Sequence, residues 1–193
     1  MDTTNPDMDL PVHPVTSERW SDLETLFGPQ GAYDGCWCMW WRIKRADFAR
    51  QRGEGNRRAL KAIVDAGEVP GLLAYADGEP VGWCSVGPRE AYPTLNRSPV
   101  LKRVDDQPVW SVVCFYVAPA WRGRGVMTRL LAGAVDYARE HGARIVEGYP
   151  KDAPGRTPDP SVYTGLVSTF RRAGFVEVAR RSKTRPIMRS MLT

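Results

Sequence analysis

One stretch decides the fold of this chain: Val117-Ala118-Pro119-Ala120-Trp121-Arg122-Gly123-Arg124-Gly125-Val126-Met127-Thr128-Arg129-Leu130-Leu131. Residues 109–117 form a nearly unbroken apolar and aromatic run, which predicts a buried strand. The apolar residues after the turn recur at helical spacing and predict a helix from about 124 to 140. The stretch therefore predicts a strand, a tight basic turn and a helix in direct succession.

The turn between these two elements carries two glycines interleaved with arginines. Gly123 and Gly125 lack a Cβ, so their backbone N–H groups can face a ligand at close range. The N-terminus of the helix adds unsatisfied donors and a partial positive charge, and Arg122 and Arg124 add full charges. This combination predicts a site for a phosphate or pyrophosphate; an ordinary turn with solvated arginines is the alternative.

The common nucleotide-binding loops do not fit this turn. The sequence lacks the Gly-x-x-x-x-Gly-Lys-Ser/Thr pattern of a P-loop. A dinucleotide fingerprint would need a third glycine where Thr128 stands, and no acidic ribose partner stands out on a following strand.

The turn resembles the acyl-CoA pyrophosphate loop of the GNAT superfamily of N-acetyltransferases, whose pattern is Arg/Gln-x-x-Gly-x-Gly/Ala. Arg122 and Gly125 match this pattern, whereas Met127 departs from the small residue of the third place. A second segment, 170–176, looks like the end of that family's last helix and its turn into the next strand. The resemblance covers roughly residues 70 to 190.

The resemblance implies an α/β (α+β) GNAT fold, with a mixed central β-sheet of about six or seven strands flanked by helices. It implies an acetyl-CoA-dependent N-acetyltransferase that moves an acetyl group to a primary amine by direct attack in a ternary complex. The alternative is a non-catalytic acyl-CoA-binding regulatory module. We expect a loose tail at 1–14 and a single acetyltransferase-like domain at 15–193.

The resemblance also assigns the residues that would bind acetyl-CoA. A backbone N–H on the strand before the loop, at Phe115, Tyr116 or Val117, would donate to the thioester carbonyl. The loop amides would hold the pyrophosphate; these residues are Arg122, Gly123, Arg124, Gly125, Val126, Met127 and Thr128.

The general acid and base are less well marked. Phe170 stands where the family carries a tyrosine, and its ring cannot give up a proton. Tyr163, about two turns earlier on a helix predicted over 162–173, is the candidate donor, with Tyr149 as a rival. The thiolate of CoA can also leave without an enzymic acid.

Glu147 is the candidate base because it lies within an apolar strand predicted over 143–149. Such a carboxylate is costly unless paired, so it is either a buried ion pair or a pocket base. Glu90, Asp105 and Asp106, on the long connection that spans 87–108, are weaker candidates. Cys114 has no histidine near it in sequence, which disfavours a covalent route.

Three of the seven tryptophans, Trp37, Trp40 and Trp41, are concentrated in one short segment. They either pack the N-terminal helices onto the sheet or form an aromatic wall of the acceptor pocket. The connection at 87–108 could cover the same pocket.

Composition limits the other function classes. The net charge is +5 without a block of basic residues, which makes nucleic acid an improbable partner. No apolar run approaches the length of about 18 residues that a membrane span needs, and we expect a cytoplasmic protein. Buried thiols explain the four cysteines better than a zinc site, so no metal is expected; a homodimer is possible. The acceptor is a small-molecule or peptide amine.

Overall fold

A computed structural model describes residues 10–153 and 162–192. Its seven strands form one mixed sheet in the order β1-β2-β3-β4-β5-β7-β6, and β4 and β5 pair in parallel. The strands are β1 (Val12–Pro14), β2 (Gly71–Ala76), β3 (Glu79–Pro88), β4 (Trp110–Val117), β5 (Ile145–Gly148), β6 (Val176–Arg180) and β7 (Pro186–Met191). The helices are α1 (Trp20–Phe27), α2 (Arg45–Arg50), α3 (Glu54–Asp65), α4 (Val126–Glu140) and α5 (Val167–Arg172). This mixed, helix-flanked sheet confirms the predicted fold class.

The helices cover the two faces of the sheet. On one face, α4 and α5 bury their apolar side chains against β2, β3 and β4. On the other face, α1, α3 and the tryptophan segment pack around Trp83. Gly82 of β3 allows α4 to approach, because a Cβ there would lie 2.5 Å from Val126 Cγ1. No helix in the described part of the chain is long and apolar enough to cross a bilayer.

The prediction of a loose tail at residues 1–14 is wrong for the last residues of that range. Residues Val12–Pro14 form β1, which pairs antiparallel with β2. Val12 packs so closely on α4 that a Cβ at Gly133 would lie 2.8 Å from its Cγ1. Arg129 Nε of α4 donates to the carbonyl of Leu10 at 3.0 Å, so α4 holds this segment in place. Residues 1–9 lie outside the described part.

The last predicted helix is also shorter than expected. It was predicted over 162–173, but α5 begins only at Val167. Gly165 has a φ of +90° and Leu166 is extended, with φ −109° and ψ 142°, so neither residue continues a helix backwards. Leu166 instead forms a parallel bridge with Lys151. Tyr163 therefore lies in an irregular segment and not on a helix.

The parallel strands β4 and β5 part after three residue pairs, the last of which joins Val112 to Gly148. A bulge lies at this point, because the partners of β3 skip Val113 between Val112 and Cys114. Val112 and Phe115, three residues apart, consequently pack on the same face of the sheet. Beyond the bulge, the N–H of Phe115 donates to the carbonyl of Tyr163 at 2.6 Å.

Phe170 of α5 fills the space where the two strands separate. Its ring is fully buried and packs edge-on against Phe115, with 6.3 Å between ring centroids. A Cβ at Gly148 would lie 2.1 Å from Phe170 Cε1, and one at Gly165 would lie 2.7 Å from Cε2. The ring therefore needs glycine at both positions. A tyrosine hydroxyl at 170 would be buried in this apolar cluster.

We expect Gly148→Ala to lower the free energy of unfolding by about 1–3 kcal/mol, because the new methyl group overlaps the Phe170 ring. Gly87→Ala is the matched control, since its Cβ would lie 3.6 Å from Tyr92 Oη, an ordinary contact. Urea unfolding measures both variants. Equal stabilities would contradict the close packing, and Phe170→Leu in the Gly148→Ala background is expected to restore part of the loss.

Candidate active site

The turn before α4 has the backbone conformation of an anion site. Gly123 and Gly125 have φ values of +73° and +82°, and Gly125 directly precedes α4. A Cβ at Gly123 would meet nothing within 4 Å, so its φ and not lack of space favours glycine there. The first bond of the helix runs from Arg129 N to Gly125 O at 3.0 Å. The N–H groups of the three residues between them belong to the first turn, which has no intrahelical acceptors.

The arginines of the turn lie at its solvent-facing side. Arg122 Nε donates to the carbonyl of Val117 at 3.2 Å, which fixes the end of β4 to the turn. The Arg124 guanidinium lies 5.2 Å from the centroid of the Trp121 ring. Met127 is half-buried and packs against the core under α4, so this larger side chain is directed toward the core. The turn thus combines positive charge with open backbone donors.

The backbone of β4 offers its N–H groups alternately to β3 and to the gap beyond the bulge. Ala118 N donates to Val81 O at 3.0 Å, on the β3 side, whereas Phe115 N–H faces the gap. By alternation, Tyr116 N–H faces β3 and Val117 N–H faces the gap. The Tyr116 N–H therefore faces away from the gap, whereas those of Phe115 and Val117 face it; which of the three N–H groups would bind the thioester stays a prediction.

Glu147 lies in a buried ion-pair network. Its carboxylate is 1% exposed; Oε1 accepts from Arg89 Nη1 at 2.8 Å and from Tyr149 Oη at 2.7 Å. Oε2 accepts from Arg189 Nε at 2.8 Å, and Arg189 also binds both oxygens of Asp105, at 2.6 and 3.0 Å. Of the two alternatives for Glu147, the structure shows the ion pair. Both of its oxygens are engaged by cationic donors.

Two of the other candidate carboxylates, Asp105 and Glu90, and the rival tyrosine are engaged as well. Burial raises the pKa of Tyr149 well above its ordinary value, and its hydroxyl belongs to the network. The Arg189 guanidinium lowers the pKa of Asp105. Glu90 forms a surface ion pair with Arg103. Sequence reasoning missed Arg89, because its partner lies 58 residues away and no local pattern marks the pairing.

A cleft of about 340 Å³ opens beside Tyr163. Trp40, Trp41 and Arg45 line one side of it, and Leu101 and Arg185 line the others. Two of the three predicted pocket tryptophans therefore line an open cleft, and Leu101 brings the long connection to its edge.

Trp37 has a different position. It is 5% exposed and lies in the cluster around α1, where its ring stacks on Trp20 at 6.1 Å and meets Phe27 edge-on at 5.4 Å. Trp37 and Cys38 both have positive φ, 44° and 51°, so the backbone turns sharply between the packed ring and the cleft. The packing interpretation fits Trp37, and the pocket interpretation fits Trp40 and Trp41.

Tyr163 connects the cleft to β4. Its carbonyl accepts from Phe115 N–H, and its side chain lines the cleft. Burial raises the pKa of the Tyr163 hydroxyl, and the nearby Arg185 only partly offsets that effect. The hydroxyl therefore stays protonated at neutral pH and is able to donate.

Cys38 and Cys84 are buried, and Cys36 and Cys114 are partly buried. Burial raises the pKa of Cys36 to about 12. A hydrogen bond with Cys114, followed by burial, raises the pKa of Cys38, and the two Sγ atoms are 3.4 Å apart. Trp83 Nε1 donates to Cys38 Sγ at 3.0 Å. Within 10–153 and 162–192, no group of His, Cys, Asp and Glu is placed to hold a metal ion.

A mixed sheet that parts beside a glycine-arginine turn at a helix N-terminus is the arrangement that the resemblance to CoA-dependent acyltransferases implies. The model of the Acetyltransferase (GNAT) family matches residues 37–150, more than half of the chain. The chain belongs to this family, as its motifs predict, and it is an acetyltransferase. A search of curated sequences finds no significant match.

Solved structures share the fold at low sequence identity. The ribosomal-protein-alanine N-acetyltransferase from Brucella melitensis is 18% identical with a TM-score of 0.53, over 95% of this chain and 100% of that chain. The PaiA N-acetyltransferase from Thermoplasma acidophilum, in complex with coenzyme A, is 13% identical with a TM-score of 0.54, over 96% and 100%. The yncA protein of Salmonella typhimurium, with its cofactor acetyl-CoA, is 14% identical with a TM-score of 0.53, over 95% and 94%.

We expect Glu147→Gln to lower the free energy of unfolding by about 3–5 kcal/mol, because two buried guanidiniums lose their shared counter-charge. Asp136→Asn removes the acidic partner of an exposed ion pair and is expected to change stability by less than about 0.5 kcal/mol. Denaturant unfolding followed by circular dichroism compares them. A fully stable Glu147→Gln protein would contradict the structural role of the network.

Proposed function

We propose that this protein transfers the acetyl group of acetyl-CoA to a primary amine by direct attack in a ternary complex. The observation that carries this proposal is that β4 links three features. The glycine-arginine turn follows the C-terminal end of β4, and the edge of β4 is parted from β5 beyond Val112. The Phe115 N–H on that edge donates to the carbonyl of Tyr163, whose side chain lines the cleft with Trp40 and Trp41.

The turn, the edge of β4 and the region beside the cleft fit the pyrophosphate, the pantetheine arm and the acetyl thioester of acetyl-CoA, respectively. The N–H groups from Gly123 to Thr128, with Arg122 and Arg124, suit the pyrophosphate, because positive-φ glycines and a helix N-terminus direct donors to one point. The N–H of Val117 faces the gap and suits the pantetheine arm. The acetyl thioester then lies beside Phe115, next to the cleft.

The Phe115 N–H supports this placement because it already holds a carbonyl oxygen, that of Tyr163, at 2.6 Å. A thioester carbonyl offers the same kind of acceptor. Binding would then exchange one carbonyl for another at the same donor, and the Tyr163 backbone would move away from β4. A hydrogen bond from this N–H polarises the carbonyl that the amine attacks.

We assign proton donation toward the leaving thiolate to the hydroxyl of Tyr163, because its raised pKa keeps it protonated and it lies at the cleft. We assign no side chain as base. Glu147 and Asp105 are held by arginines, and no carboxylate lines the cleft among the described residues. The acceptor then reacts from its neutral fraction.

Gly125→Leu is expected to weaken CoA binding by about tenfold or more, because a branched side chain disfavours the positive φ that the turn needs. Gly142→Leu is the matched control, since Gly142 follows the other end of the same helix with a φ of +79°. Calorimetry with CoA measures both. Unchanged affinity in the Gly125→Leu protein would refute the proposed site.

Tyr163→Phe is expected to lower kcat by about 100-fold with little change in the KM for acetyl-CoA, since it removes only the hydroxyl. Because burial raises the pKa of this hydroxyl, its deprotonation limits the wild-type rate only above pH 10. Thiol release assays from pH 6 to 10 test both points. A kcat unaffected by Tyr163→Phe would mean that the thiolate leaves without this donor.

The second candidate function is a non-catalytic acyl-CoA-binding regulatory module. Two observations favour it: Phe170 replaces the family's tyrosine, and Tyr163 occupies the Phe115 N–H. Such a module would bind acetyl-CoA in calorimetry and transfer no acetyl group to a broad panel of amines.

A further inference from the structure

The cleft beside Tyr163 is positively charged. Arg45 and Arg185 line it, and the described lining residues include no Asp or Glu. Most acceptor amines are cations at neutral pH, so a cleft of this charge repels an acceptor that has no compensating anion.

The two arginines lack carboxylate partners among the described residues. The Arg45 guanidinium stacks 3.1 Å over the Trp40 ring and donates to the Trp40 carbonyl. Arg185 Nη1 donates to Thr164 Oγ1 at 3.4 Å, a long contact. By contrast, Arg89 is paired with Glu147, and Arg189 is paired with both Glu147 and Asp105. Arg45 and Arg185 therefore keep their charge available for a ligand.

The lining of the cleft limits the character of that ligand. Its volume of about 340 Å³ is in the range of small-molecule sites. Trp40 and Trp41 contribute aromatic surface to it, although Arg45 covers one face of the Trp40 ring and Trp41 is only 7% exposed. The best occupant combines a flat or apolar group, an amine and a compact anion.

We propose that the acceptor is a primary amine with a neighbouring carboxylate, that is, a free α-amino acid with a flat or apolar side chain. Its carboxylate pairs with Arg185 and Arg45, and its side chain packs on Trp40 and Trp41. The amine then lies toward Tyr163 and β4. The proposal rests on the proposed acetyltransferase function and specifies its substrate class.

The same charges help the reaction itself. A guanidinium near the amine disfavours the ammonium form, and so it raises the fraction of neutral amine that can attack. The described lining residues include no carboxylate that could act as a base. The arginines therefore provide part of the deprotonated amine that such a base would generate. A polyamine gains nothing from this effect, because its second charge meets the arginines without a counter-ion.

The test compares acceptors that differ only in the group beside the amine: L-phenylalanine, L-phenylalanine amide and phenethylamine, with methionine and its amide as an apolar pair. Spermidine represents the polycations. Transfer is followed by thiol release from acetyl-CoA, and binding by calorimetry in the presence of CoA. We expect kcat/KM and affinity for at least one free amino acid to exceed those for its amide by about tenfold or more.

Variants locate this preference. Arg185→Gln is expected to reduce the ratio of acid to amide to about one, and Arg45→Gln to reduce it partly; because the ratio is taken within each variant, a general loss of activity does not affect it. Arg58→Gln, an exposed arginine of α3, is the matched control and keeps the ratio. A ratio near one in the wild-type protein, or a preference for spermidine, overturns the proposal and leaves the acetyltransferase function standing.

The calorimetric arm separates the two levels of inference. If the protein binds CoA and prefers the free amino acid but transfers no acetyl group, the proposed ligand class stands and the proposed catalytic function is refuted. If the protein does not bind CoA, the proposed acetyltransferase function is refuted. Amino acids that bind no more tightly than their amides overturn the ligand class in either case.

Discussion

The site depends on one constraint, the packing at the point where β4 and β5 part: beside the last pair, Val112 and Gly148, the buried Phe170 ring lies against Gly148 and Phe115. A buried aromatic ring is incompressible at this scale, so the separation is fixed by packing. Everything that makes the site usable follows from the gap. Phe115 and Val117 have backbone donors on its edge, and the Tyr163 carbonyl reaches into it.

A second interaction keeps the neighbouring half of the sheet in place. Glu147 joins the β3–β4 connection to β7 through Arg89 and Arg189, and Asp105 closes the network from the surface side. Such a network is costly to desolvate and is stable only when every charge is paired. Glu147 and Asp105, two carboxylates that could have served as bases, are held in these ion pairs. The charge of the cleft is then that of Arg45 and Arg185.

Sequence reasoning succeeded where the information is local. The strand, turn and helix around Gly125 are adjacent in the chain, so periodicity and two glycines were enough to predict them. It failed where distant parts of the chain meet. β1 is three residues long and is a strand because it pairs with the distant β2. Gly165 interrupts the last predicted helix, although the apolar pattern continues through it. The pairing of Arg89 with Glu147 and the division of the tryptophans are likewise properties of packing.

The bulge at Val113 has a consequence for how this region can change in evolution. One extra residue places Phe115 against Phe170 and, in the same step, directs the Phe115 N–H into the gap. Removal of any one residue between Val112 and Phe115 would exchange inward and outward positions and reverse the direction of each later N–H group. The end of β4 is thus free to vary in side chain within the limits of packing, but its length is fixed.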